Sequence, residues 1–154
     1  MTGATTHSDE QTIALGAAFA GELRPGDVVA LFGDLGTGKT RFVLGACRRL
    51  GMTGPVTSPT FTLVNEYEGN TGKIVHVDLY RIGSRAQLAE LGLEEYFDGS
   101  AICFVEWAEQ ARDLLPAMHY EVHLTHGADA TERSVTIRKI VPASAGGSSE
   151  EVRP

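Results

Sequence analysis

The run Gly33-Asp34-Leu35-Gly36-Thr37-Gly38-Lys39-Thr40 carries the side chains that a polyphosphate needs. Glycine lacks a Cβ, so successive backbone N–H groups can turn inward around an anion. Lys39 offers a point charge for the β and γ phosphates, and the Thr40 hydroxyl can ligate Mg2+. A helix starting near Gly38 would aim the positive end of its dipole at the same place. The spacing therefore predicts binding of a nucleoside triphosphate with magnesium, through contacts from Leu35, Gly36, Thr37, Gly38, Lys39 and Thr40.

Gripping phosphate is not hydrolysing it; hydrolysis also needs an acid near the metal and a group that orients water. Two acids compete for this work. Glu106 ends the apolar run Ile102-Cys103-Phe104-Val105, so its carboxylate emerges at the carboxyl edge of a sheet, where open α/β folds bind ligands. Asp78 follows Ile74-Val75-His76-Val77 and emerges in a similar place if that strand runs parallel to the first. Thr57-Ser58-Pro59-Thr60 has the order of a switch, with hydroxyls that could reach the γ phosphate or the metal. An ordinary turn explains the same residues as well. Trp107 is either a core aromatic or an exposed anchor. His119, His123 and His126 are read as satisfied or solvated histidines, because in a strand 119 and 123 share a face while 126 points away.

These residues need a strand before the loop and a helix after it, and both are legible. Val28-Val29-Ala30-Leu31-Phe32 predicts a strand over 28–33, buried on both faces. A helix is expected from about Gly38 to Leu50, stopped by Gly51, with Phe42, Val43, Ala46, Cys47 and Leu50 facing the sheet. Upstream, Ser8 caps an amphipathic helix over 8–23 that presents Ile13, Leu15, Ala17, Ala18, Phe19 and Leu23. Phe61–Tyr67 and Lys73–Tyr80 form an antiparallel hairpin around Glu68–Gly72. A short helix over 84–91 and a turn at 94–97 lead into the strand Ala101–Val105, the expected central partner of the first. Tyr120–Leu124 and Ser134–Ile140 supply two further strands. The fold class is α/β: a single P-loop NTPase-like domain over 8–141, with a mixed central β-sheet flanked by helices. Residues 1–7 are expected to be a flexible N-terminus. Residues 142–154 are expected to be a disordered tail, being too poor in apolar residues to order themselves.

The 154 residues, 42% of them hydrophobic, suit one core. No apolar stretch approaches the roughly 18–20 residues of a membrane span, and the start of the chain lacks a signal-peptide layout, so a cytoplasmic protein is expected. Cys47 and Cys103 are read as reduced, buried thiols. A formal net charge of -7 argues against this chain holding nucleic acid alone; any RNA would be held by a partner.

Together, the phosphate loop, Ser58-Pro59-Thr60-Phe61-Thr62-Leu63-Val64-Asn65-Glu66-Tyr67, His76-Val77-Asp78-Leu79-Tyr80-Arg81 and Val105-Glu106-Trp107 resemble the TsaE (YjeE) family. The resemblance runs from about Ser8 to Ile140. It implies a P-loop ATPase that hydrolyses ATP to ADP with Mg2+. This ATPase works with TsaD and TsaB to make N6-threonylcarbamoyladenosine (t6A) at position 37 of tRNA. A TsaC-type enzyme supplies threonylcarbamoyl-adenylate, and tRNA is met indirectly through the complex. By motif, Lys39 binds phosphate, Thr40 and Glu106 hold the metal, and Asp78 and Thr60 belong to the hydrolytic or switch machinery. Trp107 lies beside the nucleotide, and Thr12 matches the segment near the adenine. Thr37 stands where Ala is frequent and Arg41 where Thr is frequent; neither disturbs the phosphate contacts.

The residues alone also admit a small-molecule kinase, or a nucleotide-gated binding module in which hydrolysis is incidental. A kinase usually carries an Arg-rich lid, whereas between Arg49 and Arg112 only Arg81 and Arg85 occur.

Overall fold

The structure, a computed structural model, describes residues 2–53 and 63–142. Along the described residues the strands are β1 (Thr2–Thr6), β2 (Val28–Phe32), β3 (Val64–Gly69), β4 (Gly72–Asp78), β5 (Ile102–Glu106), β6 (His119–His126) and β7 (Arg133–Ile140). The α-helices are α1 (Asp9–Ala20), α2 (Lys39–Arg49), α3 (Arg85–Glu90) and α4 (Leu93–Tyr96), and a 3-10 segment spans Ala108–Leu114.

The strands form one mixed sheet in the order β1-β7-β6-β2-β5-β4-β3. β2 and β5 are buried at every position, as unbroken apolar runs in the middle of a sheet should be. They pair in parallel, with Leu31 beside Glu106; β6 joins β2 and β4 joins β5, also in parallel. Three parallel strands therefore end at one edge with Phe32, Asp78 and Glu106. The hairpin β3–β4 is antiparallel, and its tip is tied down by the Asn70 N–H donating to the Leu50 carbonyl at 2.7 Å.

Each sheet face has its own core. Val29, Leu31, Phe104 and Val122 pack under α1 and α2 with Phe19, Phe42, Val43 and Cys47. Val28, Ala30, Val77 and Val105 pack with Leu88, Leu93, Ala108 and Ala111 on the other face. Ser8 caps α1 as expected, accepting from the Gln11 N–H at 3.1 Å.

The buried stripe of α1 differs from the expected one. It consists of Thr12, Gly16, Phe19 and Ala20, while Ala18 is exposed and Ile13, Leu15 and Ala17 are half-buried. The cause is close packing between helices. A Cβ on Gly16 would lie 2.0 Å from the Phe42 carbonyl oxygen, and one on Gly45 would lie 1.8 Å from that of Ile13. Two glycines thus let the backbones of α1 and α2 touch.

The N-terminus is a second correction. Residues 2–6, expected to be flexible, form the edge strand β1, antiparallel to β7 with Thr2 opposite Ile137 and Thr6 opposite Arg133. Pairing with β7 satisfies backbone groups that the short polar segment could not satisfy alone. The hairpin turn is also tighter than expected, with Gly69 paired to Gly72 across Asn70-Thr71. The Thr57-Ser58-Pro59-Thr60 segment and residues 143–154 of the expected tail lie outside the described residues.

Candidate nucleotide-binding site

The loop leaves the sheet at the end of β2 and turns directly into α2. Gly33 has φ 153 and sits so close to β6 that a Cβ would fall 2.5 Å from the Leu124 carbonyl oxygen and 2.7 Å from Thr37 Oγ1. Gly38, the N-cap of α2, is left-handed with φ 99, a conformation that costs other residues dearly. The first intrahelical bond runs from Phe42 N to Gly38 O at 2.9 Å, so the N–H groups of Lys39, Thr40 and Arg41 precede it and are available to an anion.

Lys39 is folded back over its own loop. Its Nζ donates to the carbonyl oxygens of Gly33 at 2.5 Å and Asp34 at 3.0 Å, and lies 4.1 Å from the centre of the Trp107 ring. Burial pushes the ammonium below its ordinary pKa, against the raising charges of Glu106, Glu109, Asp78 and Asp34. The ammonium is thus already partly stripped of water. Thr37 turns its hydroxyl to the Asp34 carbonyl at 2.8 Å and is buried, so it faces the loop and not the cavity.

Thr40, the second residue of α2, donates its hydroxyl to both oxygens of Glu106 at 3.0 and 3.1 Å. This contact spans two elements that meet only because β5 lies beside β2. Glu106 is 2% exposed and also meets Nε2 of His76 at 2.5 Å. Asp78 stands in register with Glu106 on β4, its Oδ1 accepting from the Tyr80 N–H at 2.9 Å. Burial pushes the Asp78 carboxyl above its ordinary pKa and the charge of Glu106 adds to the rise, while the Tyr80 N–H, His76 and Lys39 oppose it.

Trp107 has left-handed backbone angles, φ 57 and ψ 43, which are strained for a bulky residue. The strain has a visible return: the chain turns sharply after Glu106, and the indole meets both Lys39 and the Tyr80 ring, whose centre is 4.8 Å away at a tilt of 39°. Trp107 is therefore a wall of the cavity that also packs, half-buried, against the core on the Val28 face of the sheet.

Leu35, Gly36, Gly38, Lys39, Thr40, Asp78, Glu106 and Trp107 line one cavity of about 520 Å3, within the ordinary range for small-molecule sites. Of the remaining expected residues, Thr12 lies beneath the loop. Its hydroxyl pairs with that of Thr6 at 2.8 Å, and its methyl would meet a Cβ on Gly38 at 3.4 Å. Thr60 lies outside the described residues. Asp9, Arg41, Tyr80, Arg81 and Arg133 also line the cavity and were not singled out from the sequence for it. Arg133 had no local signal, since it reaches the site only through the pairing of β7 with β1 and β6. His76 stood inside a quoted motif, yet nothing in its spacing disclosed the contact with Glu106.

The donor set suits magnesium. A hydroxyl and a carboxylate already face each other beside backbone N–H groups, and hard oxygen ligands are what Mg2+ takes, usually with phosphate and water completing its shell. Of the three histidines, His119 and His123 both hydrogen-bond to Glu121, at 2.9 and 3.0 Å, and His126 meets the carbonyl of Leu35 in the phosphate loop at 3.3 Å.

A parallel-centred sheet that delivers a glycine loop into a helix, with an acid at the end of the neighbouring strand, defines a P-loop NTPase-like α/β protein. Residues 6–135 match the family model described as threonylcarbamoyl adenosine biosynthesis protein TsaE. The tRNA threonylcarbamoyladenosine biosynthesis protein TsaE of Bacillus subtilis is 38% identical over 135 residues, covering 88% of this chain and 84% of that protein. Its counterpart from Haemophilus influenzae is 40% identical over 103 residues, covering 67% and 65%. The crystal structure of Bacillus subtilis YdiB superposes with a TM-score of 0.73 at 36% identity, covering 88% of this chain and 83% of that one. The chain belongs to the TsaE family.

Proposed function

We propose that this chain is a Mg2+-dependent ATPase that hydrolyses ATP to ADP and phosphate to support t6A formation at A37 of tRNA, by turning over a complex of TsaB and TsaD. One observation carries the ATPase part: the Thr40 hydroxyl lies against the Glu106 carboxylate at the mouth of the phosphate loop. A phosphate loop alone fits many activities, whereas a hydroxyl and a strand-end acid prearranged beside it fit metal-assisted hydrolysis. The family's name supplies the pathway.

In this reading the backbone N–H groups of residues 36–41 receive the phosphates. Lys39 Nζ exchanges its contacts with the Gly33 and Asp34 carbonyls for phosphate oxygens. The exchange is favourable because a buried ammonium gains more from a charged acceptor than from a carbonyl. Thr40 and Glu106 would hold Mg2+, which supplies neutralisation of the charge developing on the phosphoryl oxygens. Glu106 is committed to Thr40 and His76, which leaves Asp78 as the acid that orients the attacking water and accepts its proton at the carboxylate. Its raised pKa suits a base better than an ordinary carboxylate's would. Trp107 flanks Lys39, and Thr60 is assigned to the switch machinery that accompanies hydrolysis.

Measuring phosphate release by the wild-type chain and by Glu106→Ala, each with ATP and Mg2+, tests the proposal. Loss of release with retained nucleotide binding is expected. Phosphoryl transfer to an added metabolite would point to a kinase, and release unaffected by Glu106→Ala would refute the assigned metal site.

A further inference from the structure

His76 lies on β4, the strand next to the β3 edge of the sheet, 0% exposed, two residues before Asp78 and in register with Phe104 of β5. Its neighbours Ile74 and Phe104 belong to the apolar core under α1 and α2. A histidine there is costly unless its polar atoms are used, and one of them is: Nε2 lies 2.5 Å from Glu106 Oε2. The other, Nδ1, is buried and has no hydrogen-bond partner among the described residues.

These two facts together fix how the imidazole is used. A carboxylate only accepts, so the contact at Nε2 requires a hydrogen on that nitrogen. A hydrogen on Nδ1 as well would leave a buried donor unsatisfied, whereas a bare Nδ1 leaves only a lone pair. The hydrogen that the contact needs thus sits on Nε2, aimed at Glu106. The same carboxylate receives the Thr40 hydroxyl on both its oxygens, at 3.0 and 3.1 Å. Glu106 is held by β4 through His76 and by α2 through Thr40, although the carboxylate of Asp78 stands in register on the adjacent strand.

We propose that His76 is a positioning residue for the metal site: its Nε2–H holds the Glu106 carboxylate against the Thr40 hydroxyl, so that both groups meet Mg2+ in a prearranged geometry. The inference rests on the magnesium-nucleotide reading given above and adds to it a residue that touches neither nucleotide nor metal. Groups that orient metal ligands from behind contribute about 10–100-fold to metal affinity.

The test uses the full chain and compares wild type, His76→Phe and His76→Gln. Mn2+ binding to the ADP-loaded protein is followed by the electron paramagnetic resonance of free Mn2+, and ADP binding is measured separately in EDTA. His76→Phe should weaken Mn2+ binding about 10–100-fold while ADP affinity without metal stays within about two-fold. His76→Gln, which keeps an N–H at the place of Nε2, should recover most of the loss. Wild-type Mn2+ affinity in His76→Phe overturns the role, and so does equal loss in both variants, because packing alone would then explain it. A nitrogen-15 imidazole spectrum of the unaltered protein decides independently of whether the variants fold: an Nε2–H tautomer is expected, and an Nδ1–H tautomer overturns the contact. Wild-type nucleotide binding that ignores the metal altogether would instead overturn the magnesium reading, and this inference with it.

Discussion

At the scale of single residues, the proposed ATPase assigns binding and chemistry to different side chains. Lys39 already lies buried at the phosphate loop, and each charge-assisted hydrogen bond it makes to a phosphate should contribute about 1.5–3 kcal/mol. Lys39→Ala should therefore weaken ATP binding by at least about ten-fold in a calorimetric titration. Asp78→Asn should behave differently: ATP affinity within a few-fold of wild type, with single-turnover hydrolysis slowed by about 10²–10⁴ if Asp78 is the general base. Another carboxylate, Glu121, makes a prediction about stability. Burial pushes its pKa up, but hydrogen bonds to His123 and His119 and the charge of Arg112 outweigh this and hold it below its ordinary value. A depressed folded pKa gives stability that is present above the unfolded value, near 4.5, and is lost as pH falls through the folded value. Glu121→Gln should thus be less stable than wild type at neutral pH, and the gap should close in urea melts run progressively below pH 4.5. A gap constant with pH would contradict the ionised cluster.

The elements explain which residues could be found from the sequence and which could not. The phosphate loop was legible because its chemistry is local: glycine spacing, then Lys39 and Thr40, between an apolar run and a helix. Glu106 and Asp78 were legible as acids at strand ends, but their common edge depended on β4, β5 and β2 being parallel neighbours. That order is a tertiary fact, invisible to spacing. The contact between His76 and Glu106 is hidden from the sequence for the same reason. β1 escaped because Thr-Gly-Ala-Thr-Thr has no alternating apolar pattern and becomes a strand only by borrowing the edge of β7. The stripe of α1 was misjudged because apolar side chains mark burial by area, whereas Gly16 and Gly45 mark it by closeness. Gly16→Ala or Gly45→Ala should force α1 and α2 apart and cost at least about 1–3 kcal/mol in denaturant unfolding. Because α2 carries Lys39 and Thr40, the same variants should also weaken nucleotide binding. Full stability in either variant would show that the helices do not meet as closely as described.

For the whole molecule, the exposed side chains of Leu35 and Tyr80, 67% and 49% accessible, stand at the cavity. Water is poorly excluded from a site with such a rim, and exclusion of water strengthens the electrostatics that hydrolysis relies on. The isolated chain should accordingly hydrolyse ATP slowly, and faster with TsaB and TsaD present; a high rate for the chain alone would contradict this. The net charge of -7 suits a protein that docks on a basic surface and leaves tRNA to its partner. Affinity for TsaB–TsaD should then fall steeply across a salt series, and a salt-insensitive affinity would exclude a charge-driven dock. The proposed role itself is tested most directly by reconstitution with TsaB, TsaD, the TsaC-type enzyme, tRNA and ATP. The readout is t6A formed per TsaD over time, with wild type or Glu106→Ala. Wild type should sustain many rounds, whereas Glu106→Ala should stop after the first; undiminished turnover with Glu106→Ala would show that hydrolysis at this site is not what drives the cycle.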